Sequence, residues 1–139
     1  MGHRTVDLDL EIYTFDIDFA QHVSNITYIR WLEMGRLQFL ADAGLPVIEL
    51  LERGLAPVLT RTEIDYRSPL RLGDPVHLTL WVEELRAASA TLGFEIVSGS
   101  RTAATARQTG LFVSVASGRP HRLAPDVRAR FSPFVREPA

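Results

Sequence analysis

Asn25-Ile26-Thr27-Tyr28-Ile29-Arg30-Trp31-Leu32-Glu33-Met34-Gly35-Arg36-Leu37-Gln38-Phe39-Leu40-Ala41-Asp42-Ala43 is the stretch whose reading decides the fold. Tyr28, Leu32, Gly35 and Phe39 fall at spacings of 4, 3 and 4, with Ile29, Trp31 and Leu40 widening the stripe, which is the period of a helix with one buried face. Ser24 or Asn25 can cap its first turn through a short side-chain oxygen, and Gly44 followed by Pro46 stops it. At 1.5 Å per residue the helix runs about 27 Å, the length of a strand of some eight residues. Gly35 in mid-helix costs about 1 kcal/mol against alanine, so it is expected where the helix axis comes closest to a sheet.

On either side the chain reads as strands. Val6, Leu8, Leu10 and Ile12 alternate with Asp7, Asp9 and Glu11, the mark of a strand with one wet face. After a short helical piece, Val47 to Arg53, four more strands follow: Val58 to Tyr66, Val76 to Val82, Ala90 to Ile96, and Ala103 to Val115. Ser98-Gly99-Ser100 makes a hairpin turn between the last two, and Pro125 to Arg130 reads as a short closing helix before frayed final residues. Strands in a run predict an α+β fold: a five-stranded antiparallel sheet wrapped around one long central helix, with residues 1–139 as a single domain. Its outer face should be polar apart from Trp81 and Val97. Edge strands left unpaired predict association with a second copy.

Composition narrows the chemistry. The 139 residues carry 15 basic and 17 acidic side chains for a net charge of −2, with 46% hydrophobic and 23% charged residues. That balance disfavours a protein that grips nucleic-acid backbones. There is no cysteine and no lysine, so thiolate nucleophiles, thiolate metal sites and lysine Schiff bases are excluded. No apolar run approaches a membrane span, and the amino terminus lacks a signal-peptide core, so the expected compartment is the cytoplasm. G-x-S-x-G, H-E-x-x-H and glycine-rich phosphate loops are all missing.

What remains is Asp16-x-Asp18-x-x-x-His22-x-x-Asn25, an irregular segment running into the helix. The unpaired amides and positive dipole end of a helix stabilise an anion, including the oxyanion formed when a carbonyl is attacked. A carboxylate beside such an end suits acyl hydrolysis; the plainer reading is that both aspartates only turn the chain. Elsewhere Glu33 and Arg36 read as a helix-surface pair, Glu63 as part of a wet strand face, and His77 and His121 as ordinary surface residues. A metal site needs three clustered ligands; His22 with Asp16 and Asp18 is the nearest approach, and no metal is expected.

Tyr13 to Glu33 resembles the opening motif of the hotdog-fold thioesterases, specifically the 4-hydroxybenzoyl-CoA thioesterase-like group. Asp65 to Asp74 is similar to that group's second signature and Leu123 to Arg130 to its closing helix, so the similarity spans almost the whole chain. The resemblance implies a hotdog fold and a homodimer or homotetramer hydrolysing acyl-CoA thioesters at its subunit interfaces. It implies no cofactor, coenzyme A being part of the substrate. Asp18 falls where the family keeps its catalytic carboxylate, and the Asn25 amide where it polarises the carbonyl. Gln21 to Asn25 is also similar to plant acyl-carrier-protein thioesterases, which give this histidine a catalytic role, but Ala20 and Pro69 stand where those enzymes have asparagine and an acid. His22 is therefore expected to assist. Arg67 and Arg71 are candidates for the phosphates of coenzyme A, since guanidinium suits phosphate, and Tyr28 for the acyl group. Rival readings are an enoyl or hydroxyacyl thioester hydratase of the same architecture, and a non-catalytic acyl-CoA-binding module.

Overall fold

In the computed structural model residues 2–136 are described. The chain runs β1 (Val6–Leu10), a 3-10 turn (Thr14–Asp16), α1 (Asn25–Asp42), α2 (Val47–Glu52), then β2 (Leu55–Tyr66), β3 (Val76–Leu85), β4 (Ser89–Ser98) and β5 (Arg101–Ser114). It closes with β6 (Pro120–His121), α3 (Pro125–Phe131) and a second 3-10 turn (Ser132–Phe134). The strands form one antiparallel sheet in the order β1-β3-β4-β5-β2, with the two-residue β6 beside β5. The sheet thus has a sixth, very short strand beyond the five expected. β1 stops at Leu10, short of Ile12, whereas β2 begins at Leu55 and accommodates Pro57, which lacks an N–H to donate and is tolerated on an edge.

The long helix packs on this sheet as its spacing predicts. Tyr28, Trp31, Leu32, Gly35, Phe39 and Leu40 are buried, while Ile29, placed in the stripe by the sequence, is half exposed on the flank. Strand β3 alternates buried and half-buried residues, and its Leu78 and Leu80, with Phe94 of β4, lie directly under Gly35. A Cβ at Gly35 would sit 3.1 Å from the Leu78 Cδ2 atom, so the missing side chain is what lets the axis descend. Gly44 at φ 80° terminates the helix, the left-handed conformation that glycine adopts without penalty. Packing also continues past Arg130: Phe131 and Phe134 wedge against Phe39 at ring distances of 4.8 and 5.1 Å, so the described chain beyond Arg130 is not frayed. The fraying expected for the final residues concerns 137–139, which lie outside the described residues. Among the described residues no helix is long and apolar enough to cross a membrane.

On the outer face Trp81 is covered by the Arg136 guanidinium, 4.5 Å from the ring centroid. Here the structure corrects the reading of His77 as an ordinary surface residue. Its Nδ1–H donates to Asp9 and its Nε2–H to Asp7, both at 2.8 Å, so the ring bridges two carboxylates of β1. Both nitrogens can donate only in the imidazolium form. The hydrogen bond to Asp9, then that to Asp7, raises the His77 pKa above its ordinary 6.5. Burial works to raise the Asp7 pKa, but hydrogen bonds from Thr5, His77 and Thr79 outweigh it and hold the carboxyl below its ordinary 3.8. The raised group contributes stability that is full below pH 6.5 and is lost as pH rises through the folded value; the depressed group contributes above pH 3.8 and is lost on acidification. The clasp on β1 is therefore complete between those limits. His77→Ala should lower Tm by about 2–4 °C at pH 5.5, since an exposed bridge is worth about 1 kcal/mol or less. At pH 9 the separation should be smaller, as the charge on the ring is lost. Equal separation at both pH values in thermal scans would remove the imidazolium from the account.

Candidate active site

The site is built on the hinge between the first 3-10 turn and α1. Ile17 and Val23 face each other as an antiparallel bridge, and the loop between them is closed by Asp18 N–H donating to the His22 carbonyl and Gln21 N–H to the Asp18 carbonyl. Gln21, at φ 67°, is the one non-glycine residue with positive φ among the described residues, and such backbone strain concentrates at functional sites. Phe19 at the loop tip is 99% exposed.

Asp16 and Asp18, two residues apart, have different work. Asp16 is buried at 5% exposure: one oxygen accepts from Tyr13 N–H at 2.8 Å, the other from the Thr27 hydroxyl at 3.2 Å, and its carbonyl accepts from Ser24 N–H. It clamps the 3-10 turn to the first turn of α1. Removing it in Asp16→Ala leaves the Tyr13 amide without its acceptor and the buried Thr27 hydroxyl with only the Asp16 carbonyl at 3.4 Å, a loss of about 1–3 kcal/mol that urea unfolding should register. A loss under about 0.5 kcal/mol would show that neighbouring groups or water replace the clamp.

Asp18 is half-buried, and only one of its oxygens is used: Oδ1 accepts from Ala20 N–H at 2.9 Å and from His22 N–H at 3.4 Å. Among the described residues Oδ2 has no protein partner. Ser24, in extended conformation, caps α1 by accepting from Ile26 N–H, and its carbonyl takes Thr27 N–H. The Asn25 N–H is left without a partner among the described residues. The loop therefore carries one uncommitted carboxylate oxygen into a helix whose first turn offers one uncommitted amide at the positive end of its dipole.

The His22 imidazole makes no hydrogen bond with the Asp18 carboxylate among the described residues. Its Nε2 instead lies 3.3 Å from Arg71 Nη2. A guanidinium only donates, so Nε2 accepts and the ring proton sits on Nδ1. Arg71 is held in place because its own N–H donates to the Asp74 carboxylate, which also receives Arg101; the Arg71 amide, ahead of the Arg101 charge, depresses the Asp74 pKa. Arg67 is exposed and makes no side-chain contact of this kind among the described residues. Tyr28 is buried, edge-on to both Trp31 and Tyr66, and burial pushes its hydroxyl up to about 12. Glu63 pairs with Arg61 at 2.8 Å, and His121 with the Arg122 carbonyl.

Arg36 keeps the i,i+3 pair with Glu33, at 3.7 Å, and adds a partner that the spacing does not show: its Nη1 donates to Gln108 of β5 at 2.7 Å. Neither its burial nor the role of Gln108 leaves a local mark, because the two are 72 positions apart. Beside them α1, the β4-β5-β2 part of the sheet and residues of α2 and α3 line a half-open cavity of about 400 Å³.

A sequence model described as the thioesterase-like superfamily matches residues 13–131, from the first 3-10 turn to the end of α3. The chain belongs to this superfamily. Among its relatives, YneP of Bacillus subtilis (strain 168), provisionally named an acyl-CoA thioesterase, is 23% identical over 88 residues, 63% of this chain and 64% of that protein, so the match spans just under two thirds of the relative's length. The acyl-acyl carrier protein thioesterase ATL3 of Arabidopsis thaliana is 24% identical over 132 residues, 94% of this chain and 70% of that one. A solved DHNA-CoA thioesterase from Staphylococcus aureus superposes with a TM-score of 0.86 at 19% identity, covering 92% of this chain and 89% of that one. At that identity the likeness shows the superfamily's fold alone.

Proposed function

We propose that this protein hydrolyses acyl-CoA thioesters, with Asp18 as the reacting carboxylate and the Asn25 amide as the oxyanion donor. The observation that carries the reading is an uncommitted Asp18 oxygen on the loop that leads directly into α1, whose first turn has an uncommitted N–H at Asn25. A thioester carbonyl is electrophilic enough for a carboxylate and one preorganised amide to act on it. The carbonyl oxygen sits on Asn25 N–H, where the developing negative charge meets the helix dipole. Asp18 then either attacks the carbonyl carbon, forming an anhydride that water hydrolyses at the acyl carbonyl, or takes a proton from a water that attacks that carbon itself. The carbon–sulfur bond breaks, the water oxygen stays with the acid, and the proton returns to the departing thiolate of coenzyme A. His22, with its proton on Nδ1, orients water at the loop. Arg71, beside it, and Arg67 take the phosphates of coenzyme A. Tyr28 backs the acyl entrance as a rigid wall, since its hydroxyl keeps its proton throughout the working range.

The working unit is a homo-oligomer, in the cytoplasm and without nucleic-acid partners. β2 is the outer strand of the sheet and twelve residues long, and it exposes Val58, Leu59 and Tyr66, while the adjoining flank of α1 exposes Ile26, Ile29 and Leu37. A two-fold pairing along β2 covers both sets. Because the pairing is antiparallel, it sets the Tyr66 end of one copy, next to Tyr28 and Asn25, against the Val58 end of the other, next to its cavity. Sedimentation should give at least twice the chain mass, and a monomer that turns over substrate would reject the shared site.

The activity is tested by following free thiol with short-chain, long-chain and aromatic acyl-CoAs. Thiol release supports hydrolysis. Loss of crotonyl-CoA absorbance without thiol would make the protein a hydratase, and tight binding without either change a binding module.

A further inference from the structure

The cavity beside α1 has a lopsided chemistry. Leu40, Leu92, Phe112, Leu123 and Phe131 give it apolar walls, and the charged groups that line it, Glu33 and Arg36, are both at the end nearer the start of the helix. The Arg36 side chain is 21% exposed. Its Nη1 donates to Gln108 Oε1, and Gln108, 1% exposed, donates from Nε2 to the Thr62 hydroxyl at 3.1 Å. This half-buried chain of hydrogen bonds contains no anion. The nearest carboxylate, on Glu33, stands 3.7 Å from Nη2 with a side chain 63% exposed, and a pair so open to water contributes little. Burial lowers the Arg36 pKa and Glu33 only partly offsets it, yet a guanidinium does not give up its charge. A cation is thus held at the wall of an apolar chamber with most of its five N–H donors uncommitted, and burying such a charge is costly until an anion meets it.

We infer that the cavity binds a monocarboxylic acid with an apolar tail, the carboxylate on the Arg36 guanidinium and the hydrocarbon directed toward Leu123 and Phe131. Glu33 gives way by swinging into solvent, where most of its side chain already lies. Gln108 holds Nη1, which leaves Nη2 and Nε of a residue that lines the chamber to meet a carboxylate in bidentate fashion. The chamber begins about 12 Å along the helix from Asn25, so binding there requires no reaction and does not rest on the thioesterase reading. Should that reading hold, this is where a released acid lodges.

Isothermal titration of the full chain with decanoate, decan-1-ol and butyrate tests it. Decanoate should bind about 10- to 100-fold more tightly than decan-1-ol, the worth of charge-assisted hydrogen bonds, and butyrate should be too short to bind measurably. Arg36→Met should lose that factor for decanoate and leave decan-1-ol unchanged. Ala90→Phe, which fills the chamber from its β4 wall, should abolish both, with melting curves confirming that each variant is folded. Equal affinity for acid and alcohol, or decanoate binding that survives Arg36→Met, overturns the inference. If Arg36→Met does not fold, decanoate binding that survives in folded Ala90→Phe overturns it instead. Thiol release is read separately, so an inactive protein that still binds decanoate defeats the proposed function and leaves this site standing.

Discussion

Asp18→Asn should lower kcat for acyl-CoA hydrolysis by about 10³-fold or more while leaving Tm within a degree or two, the loss typical when a carboxylate that reacts or moves a proton is neutralised. The choice of asparagine matters. The Asp18 Oδ1 atom holds the loop by accepting from Ala20 and His22, and an asparagine carbonyl accepts the same two bonds. What changes is the second oxygen, which becomes an amide nitrogen with neither nucleophilicity nor basicity. Asp18→Ala, by contrast, removes the loop bonds as well and should lower both rate and stability. KM should move little in the asparagine variant, because the interaction lost belongs to the transition state. If Asp18→Asn retains more than about a tenth of the wild-type rate, the carboxylate is a turn-former and hydrolysis is carried elsewhere. Loss of activity in Asp16→Asn together with unfolding would not bear on this, since Asp16 is consumed by Tyr13, Thr27 and Ser24.

The contrast between the two aspartates shows what the sequence could and could not reveal. Elements announced by local periodicity were legible: the α1 stripe, the alternation of β3, the Gly44 stop and the close approach at Gly35 all depend on residues within a few positions of one another. The candidate loop was legible as a place, but not as a division of labour, because Asp16 is made structural by Thr27, eleven positions on, across a turn that carries no periodic signal. His77 was misread, and Arg36 read only in part, for the same reason on a larger scale. Their partners, Asp7, Asp9 and Gln108, are brought to them by strand register, 68 to 72 positions away. A net charge or an i,i+3 spacing says nothing about such neighbours. For Arg36 local spacing found the exposed Glu33 partner and missed the tighter one, a glutamine on β5. Ile29 was drawn into the buried stripe because periodicity sees a helix face and not where the sheet beneath it ends.

Gly35→Val should cost about 1–3 kcal/mol or more in urea unfolding, the range for forcing extra groups into a packed core. Gly35→Ala should be close to neutral. The two substitutions separate opposing effects at one position. An alanine Cβ would meet the Leu78 Cδ2 atom at 3.1 Å and Phe94 at 3.4 Å; the first contact is with the far end of a flexible side chain, which can yield by a few tenths of an ångström. Against that strain stands a gain of about 1 kcal/mol in helix propensity over glycine. Valine adds two methyl groups where Leu78, Leu80 and Phe94 already fill the space, and its stiff χ1 leaves few ways to avoid them. The helix must then lift from the sheet. Lifting α1 strains the Asp16 clamp between its first turn and the preceding loop, which disturbs the placement of Asn25 N–H and the Asp18 carboxylate. Gly35→Val should therefore lose activity at temperatures where it remains folded, and Gly35→Ala should keep it. If valine is tolerated in both measurements, the close approach of helix and sheet is not what sets the site.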